Sequence, residues 1–213
     1  MFRFVPVLRV LAGLLAVAVL SACTADHKWA SDADVARAHY VDPNPPSITL
    51  FTSINTRNQT GAHAGLLINA ADERVLFDPA GEFGNDVQPA PAEREDLIYG
   101  MTPGMLVAYV NYQGNAPFQV VQQTIYVTPE IAARVKAAAI AHGAANKAAC
   151  TIAISEVLAR VPGFEGLPRT YFPKAMMRAF AKLPGVQSRT LTSASGNLRF
   201  TLPGSPLGTP PNT

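Results

Sequence analysis

The sequence has few of the residue patterns that support metal, redox or nucleotide chemistry. Only two of its 213 residues are cysteine and only one is tryptophan. It contains no Cys-x-x-Cys, no His-Glu-x-x-His, no glycine-rich phosphate loop and no Gly-x-Ser-x-Gly turn. These absences exclude the common zinc, nucleotide and serine-hydrolase patterns, and no metal or cofactor is predicted.

An excess of charge of one sign is also absent. The chain has 17 basic and 15 acidic residues, a formal net charge of +2. Arg3 and Arg9 are the only charges before Cys23, so the remaining chain carries fifteen residues of each sign. There is no run of Lys or Arg and no interleaving of basic and aromatic residues. A nucleic-acid partner is therefore not expected.

The only long hydrophobic run lies at the N-terminus, in residues 10–20, and it is too short for a transmembrane helix. It ends in Leu20-Ser21-Ala22-Cys23, which predicts a bacterial lipoprotein signal over residues 1–22, with lipid on Cys23. An ordinary signal peptide cut near Ala22 is the alternative. Thr24, rather than Asp, follows the cysteine, and this resembles the sorting pattern of outer-membrane lipoproteins. We therefore expect a membrane as partner, with the protein facing the periplasm.

The rest of the chain divides by composition into three parts. Residues 23–46 are mostly polar and end in a proline-rich stretch, which predicts a tether. Residues 47–201 are predicted to form a single α+β domain, a small antiparallel sheet packed with helices. Residues 202–213 are rich in Pro, Gly and Thr and are expected to be disordered.

Periodicity and capping signals predict the elements of this domain. The predicted strands are 48–54, 63–68, 74–77, 118–127 and one within 186–201. The predicted helices are 103–110, 129–141, one capped by Asn146 and running to 161, and one from Pro173 that ends before Pro184. Residues 80–96 are predicted to be a long loop.

Two residues of this pattern can carry chemistry. If Cys23 is lipidated, Cys150 remains a lone thiol in an oxidising compartment, where it is either an inert core residue or a reactive one. It lies on an apolar helix face, which favours burial, but also near the first helical turn, which lowers a thiol pKa. His63 opens an apolar strand, and taken alone it is more often a structural residue.

The order of these residues resembles the circularly permuted papain-like fold, which includes permuted NlpC-type peptidases and the lecithin retinol acyltransferase family. His63-Ala-Gly-Leu-Leu-Ile comes first, then Val75-Leu76-Phe77-Asp78-Pro79-Ala80, then Asn146-Lys147-Ala148-Ala149-Cys150 near a helix start. The resemblance implies that Cys150 is the nucleophile, His63 the base and Asp78 the residue that orients the histidine. Asp78-Pro79 is also a favourable turn pair, and Ala149 stands where these families often have Asn.

Two classes of function follow from this resemblance. The first is an envelope-anchored cysteine hydrolase or acyltransferase that acts on an amide, ester or thioester, with cell-wall peptide as the first candidate substrate. The second is a non-catalytic lipoprotein with a role in binding or envelope assembly. The 80–99 loop, with Glu82, Phe83 and Tyr99, and the segment Arg169-Thr170-Tyr171-Phe172 are candidate cleft walls.

Overall fold

The computed structural model describes residues 27–85 and 87–191, which contain a seven-stranded antiparallel sheet and five α-helices. The strands are β1 (Ser47–Asn55), β2 (Gly61–Asn69), β3 (Arg74–Phe77), β4 (Glu93–Arg94), β5 (Leu97–Ile98), β6 (Phe118–Tyr126) and β7 (Gln187–Leu191). The helices are α1 (Asp32–Ala38), α2 (Pro103–Gln113), α3 (Pro129–His142), α4 (Cys150–Leu158) and α5 (Pro173–Phe180). The predicted α+β class is confirmed.

The strands lie in the order β4-β5-β3-β2-β1-β6-β7, with β1 and β2 near the centre. Their apolar side chains alternate between the two faces of the sheet, as the pleat requires. Leu50, Leu66 and Phe77 belong to one core cluster, which also contains residues of α3, α4 and α5. Phe51, Leu67 and Leu76 belong to a second cluster, which contains residues of α2. The sheet is therefore covered by helices on both faces.

The structure confirms most of the predicted elements to within a few residues, because their signals are local. Thr102 and Thr128 cap α2 and α3, and each is followed by a proline at the first helical position. The predicted loop at 80–96 also contains a 3-10 turn at Phe83–Asn85 and the short β4. Of the last predicted strand, only β7 falls within the described residues.

The prediction that Asn146 caps the fourth helix was wrong. This helix, α4, begins at Cys150, and its cap residue Ala149 makes no side-chain hydrogen bond. Ala148 has a φ of 62°, a left-handed conformation that is incompatible with a helix running through it. As a consequence, Cys150 occupies the first position of α4.

The segment 27–46, for which the composition predicts a tether, packs against the domain. Trp29 forms an isolated β-bridge with Arg94, and Ser31 caps α1. Asp42 and Arg74 form an ion pair in which both side chains are buried. Scattered polar residues made this segment look solvated, but some of them, such as His39 and Asp42, pair with Asp72 and Arg74 more than thirty residues further along the chain.

Within the described ranges, no helix is long and apolar enough to cross a membrane. The predicted signal at 1–22, the lipidation residue Cys23 and the predicted tail at 202–213 lie outside these ranges.

Candidate active site

His63 lies on the part of β2 that extends past the end of β3. In the pairing of β2 with β3, Asn69 lies opposite Arg74 at one end and Leu66 lies opposite Phe77 at the other. Continued by one residue, this register places Asp78 opposite Gly65, two residues from His63 on the same face of β2. Both side chains are thereby brought to one end of the β2–β3 pair.

Asp78 binds two side chains through one carboxylate oxygen. Its Oδ1 atom lies 2.8 Å from Nε2 of His63 and accepts a hydrogen bond of 2.8 Å from the hydroxyl of Tyr109 on α2. Because an ionised carboxylate only accepts, Nε2 of His63 carries a hydrogen in this contact. The side chain of Asp78 is 2% exposed, whereas that of His63 is 18% exposed. The carboxylate therefore holds the ring from the protein side, and His63 remains partly open to solvent.

Cys150 interacts with the same histidine from the N-terminus of α4. Its thiol lies near the His63 ring and the backbone of Ala64, close enough for both to stabilise its ionised form and lower its pKa. Since Nε2 of His63 is engaged by Asp78, Nδ1 is the ring nitrogen left to face the thiol. Thr151 Oγ1 lies 3.6 Å from the sulfur. The structure thus brings His63, Asp78 and Cys150 together in one chain of contacts.

The charges of this chain of contacts favour a thiolate beside an imidazolium. Burial opposes protonation of His63, but the Asp78 carboxylate and the hydrogen bonds to Asp78 and Cys150 raise its pKa to about 10. Burial likewise opposes ionisation of Cys150, but the hydrogen bond and the positive charge of His63 lower the pKa of the thiol below its ordinary value.

Tyr109 can only act as a hydrogen-bond donor to Asp78. It is fully buried, and burial together with the nearby Asp78 charge raises its pKa well above 10. Its ring makes edge contacts with Phe51 and Phe83, at centroid distances of 5.6 and 5.2 Å. These contacts fix the hydroxyl against the carboxylate, so that Tyr109 restricts the position of Asp78.

Two glycines leave room for this arrangement. A Cβ atom on Gly65 would lie 2.1 Å from the Tyr109 hydroxyl and 3.0 Å from Oδ1 of Asp78. A Cβ atom on Gly81 would lie 2.0 Å from Oδ2 of Asp78. Because such distances are far below van der Waals contact, any other residue at these positions would displace the carboxylate.

Asp96 connects the turn that carries Asp78 to the loop that precedes α4. Its backbone carbonyl accepts from the N–H of Asp78 at 2.9 Å. Its Oδ2 atom accepts from the N–H groups of Ala80 at 3.0 Å and Ala145 at 2.7 Å. Burial raises the pKa of Asp96, and these two donors oppose the shift. One buried carboxylate therefore holds together the two segments that position Asp78 and Cys150.

The site also contains donors for a developing negative charge. The first N–H groups of a helix have no partner within the helix, and in α4 these groups surround Cys150. Together with the helix dipole, they can stabilise an oxyanion formed when the sulfur attacks a carbonyl carbon. The arrangement is therefore suited to acyl transfer through a thiolate.

Tyr109, Asp96 and Gly65 were not identified from the sequence. Tyr109 lies in an apolar helix, Asp96 in a polar loop and Gly65 within a strand, and none of these contexts is unusual on its own. A glycine inside a strand can indicate close approach of another group, which was the one signal available. The other two become visible only through contacts with Asp78.

The remaining candidate residues lie in different surroundings. Phe83 is buried against Tyr109, and Tyr99 lines a cleft beside α1. Neither of these contacts involves Cys150 or His63. Tyr171 and Phe172 are 63% and 73% exposed. His142 ends α3, where its Nε2 atom lies 3.3 Å from Oε2 of Glu156.

No group of three or more His, Cys, Asp or Glu residues in the described ranges is arranged to hold a metal ion. Cys150 is the only free cysteine there. Comparison of the chain with protein-family models, with curated proteins and with solved structures finds no match. A function for this chain has to be inferred from the geometry of its own side chains.

Proposed function

We propose that this chain is an envelope-anchored cysteine hydrolase or acyltransferase with a permuted papain-like arrangement of its site. The contact chain from Cys150 through His63 to Asp78, at the start of a helix packed on an antiparallel sheet, is the observation that carries the proposal. The histidine precedes the cysteine in the chain, which is the order of the permuted enzymes. The substrate class is an amide, ester or thioester, with cell-wall peptide as the first candidate.

The reaction proceeds in two half-steps in this proposal. The Cys150 thiolate attacks the carbonyl carbon, a C–S bond forms and the negative charge moves to the carbonyl oxygen at the N-terminus of α4. As the tetrahedral species collapses, protonated His63 gives its proton to the leaving amine, alcohol or thiol. In the second half-step, neutral His63 takes a proton from water or from another acyl acceptor. The deprotonated molecule attacks the thioester carbonyl and releases the Cys150 thiolate.

Asp78 and Tyr109 act through His63 in this scheme. The carboxylate keeps the hydrogen of the neutral ring on Nε2, so that Nδ1 is the nitrogen that exchanges a proton with the sulfur. Tyr109 keeps the carboxylate in place. Both are positioning residues rather than groups that contact the substrate.

A binding or envelope-assembly protein is the second candidate, and one observation favours it. Cys150 is only 7% exposed, and a cleft of about 680 Å³ lies elsewhere, lined by α1 and residues 89–92 among others. A protein that retained the papain-like arrangement for binding alone would use that cleft and leave the thiol unreactive.

The two candidates differ in whether Cys150 can be acylated. Incubation with p-nitrophenyl acetate, a small activated ester, should release nitrophenol and place an acetyl group on Cys150, located by mass spectrometry of peptides. Cys150→Ser should lose the modification while keeping its circular dichroism spectrum, and His63→Ala should slow it at least about tenfold. Absence of acetylation in the folded protein, with acetylation after unfolding, would reject the enzyme and leave the binding protein.

The anchor belongs to the same proposal. The sequence Leu20-Ser21-Ala22-Cys23 supports cleavage before Cys23 and lipidation of its thiol. Thr24 supports the outer membrane as the destination. A periplasm-facing enzyme on this membrane can reach the cell-wall peptide.

A further inference from the structure

Two large apolar side chains are exposed on either side of one shallow cleft. Trp29 is 70% exposed and precedes α1, and Ile140 is 54% exposed in the last turn of α3. Both line a cleft of about 90 Å³, whose other lining residues are Leu97, Tyr99, Ala139, Gly143 and the charged Arg94, Glu95 and Asp96. We refer to Trp29, Ile140 and this cleft as the Trp29–Ile140 face. An exposed tryptophan beside an exposed isoleucine is an unfavourable surface for a protein in water alone.

The Trp29–Ile140 face is held rigidly by the fold. The N–H of Ala30 donates to the backbone carbonyl of Glu93 at 2.8 Å, and the N–H of Glu95 donates to the backbone carbonyl of Lys28, also at 2.8 Å. These bonds fix both neighbours of Trp29 to the β4 edge of the sheet. The Arg94 guanidinium lies 5.0 Å from the centroid of the indole, which holds the ring in a defined orientation.

Charges around this face are paired with one another. Lys28 lies 2.9 Å from Glu93, His27 lies 2.7 Å from Glu95, and Arg94 pairs with Asp32. Glu93 and Asp32 are therefore opposed by the cationic groups of Lys28 and Arg94. This pairing reduces the repulsion that a bilayer with anionic lipids would exert on isolated carboxylates.

The length of chain before the face limits its distance from the proposed lipid. Lys28 follows Cys23 by five residues in the sequence. Five residues span at most about 17 Å when fully extended. If Cys23 carries lipid, the Trp29–Ile140 face is thus held within a short distance of the bilayer surface, whatever the path of the intervening residues.

We propose that the Trp29–Ile140 face docks onto the phospholipid bilayer that holds the lipid of Cys23, with the indole in the interfacial region. Tryptophan prefers this region because its ring is apolar and its N–H needs a polar partner. The docking rests on the proposed anchor but not on the proposed chemistry of Cys150. It holds the domain in one orientation on the membrane, where a flexible tether would allow many.

The single tryptophan of the chain makes a direct test possible. The mature lipoprotein is placed in phosphatidylcholine vesicles with and without brominated acyl chains, and flotation confirms attachment. Trp29 fluorescence should shift to shorter wavelength on attachment and fall at least about twofold with brominated lipid. The effect should persist in neutral lipid, since the side chains proposed to enter the bilayer, Trp29 and Ile140, are uncharged. Ile140→Asp should reduce the quenching.

A matched reporter tests the orientation. Trp29→Phe combined with Phe172→Trp moves the indole to another exposed aromatic position, which is 73% exposed and does not line the cleft. This reporter should not be quenched. Attached protein in which Trp29 is not quenched, or is quenched no more than the reporter at 172, would overturn the docking. Failure of the protein to float would overturn the anchor and the docking with it, whereas Cys150 acetylation would be unaffected by either result.

Discussion

The hydroxyl of Tyr109 donates a hydrogen bond of 2.8 Å to Oδ1 of Asp78, the same oxygen that contacts His63. The two residues are 31 positions apart in the chain, and each is almost completely buried. A side chain of α2 on one face of the sheet therefore controls the position of the carboxylate behind the candidate base. This relationship leads to the first prediction.

Tyr109→Phe removes the hydroxyl but keeps the ring between Phe51 and Phe83. Because a hydrogen bond to a charged group is lost inside the core, we expect the free energy of unfolding to fall by about 1–3 kcal/mol in urea titrations. The acetylation of Cys150 should also slow, since Asp78 is less well held. Tyr126→Phe is the control, because Tyr126 is 41% exposed at the end of β6. A variant as stable as the native protein would show that the contact contributes nothing.

Alkylation of Cys150 by iodoacetamide should depend weakly on pH. Between pH 8.5 and pH 6, the rate for an ordinary thiol of pKa about 8.5 falls roughly 100-fold, because the thiolate is lost. The His63 contact lowers the pKa of Cys150, so its thiolate persists as the pH falls towards that lower value. We therefore expect a decrease of less than about tenfold over the same range.

His63→Ala should restore a steep pH dependence. Without the histidine, burial is opposed by the weaker contributions of Thr151 and the Ala64 backbone, so the pKa of the thiol rises and less thiolate remains at pH 6. His142→Ala is the matched control, because His142 lies at the end of α3 and pairs with Glu156. Rapid alkylation at pH 6 that survives His63→Ala would leave a reactive cysteine without its partner.

Gly65→Ala should disrupt the site although it adds one methyl group. The new Cβ atom would lie 2.1 Å from the Tyr109 hydroxyl, so the tyrosine or Asp78 has to move. We expect a loss of about 1–3 kcal/mol in the free energy of unfolding and slower Cys150 acetylation. Gly104→Ala is the control: its Cβ atom would have its nearest neighbour at 3.9 Å, and in the first turn of α2 it should be neutral or slightly stabilising. Equal effects of the two variants would contradict the proposed crowding.

Asp42→Ala should destabilise the domain strongly if residues 27–46 are part of the fold. The substitution leaves the buried Arg74 guanidinium without its carboxylate, and loss of one partner of a buried pair costs about 3–5 kcal/mol. The measurement is the urea midpoint of the mature chain. Asp34→Ala removes an exposed carboxylate paired with Arg37 on α1, so this control should shift the urea midpoint little. A native midpoint for Asp42→Ala would restore the tether interpretation of this segment.

Cys23→Ser should release the protein from the membrane fraction or leave it unprocessed, because lipid transfer needs the thiol. Fractionation and the mass of the mature N-terminus measure this result. Cys150→Ser serves as the control and should remain in the membrane fraction. Normal processing and membrane recovery of Cys23→Ser would remove the lipid anchor.

The sequence by itself determined the α+β class and the types and order of the longer elements, whereas the short α1, β4 and β5 were not predicted. Helix starts such as Thr128-Pro129 and the alternating strand residues of β1 and β2 act over a few positions, so they can be recognised locally. The same local signals singled out His63 and Cys150 as candidates, and the resemblance to the permuted papain-like fold added Asp78. Local signals could not show that residues 27–46 pack on the domain, because an ion pair such as Asp42–Arg74 has no local signature. Nor could they reveal the left-handed backbone at Ala148 that separates Asn146 from α4.

Only the tertiary structure decided which residues surround Asp78. Tyr109 comes from helix α2, Asp96 from a loop near the edge of the sheet and Gly65 from the neighbouring strand, and their contacts depend on strand register and helix packing. Register is set by the whole sheet, since a slip of one residue would turn His63 to the opposite face. The site is therefore a property of the packed chain, in which local patterns supply the reactive groups and non-local contacts hold them in place.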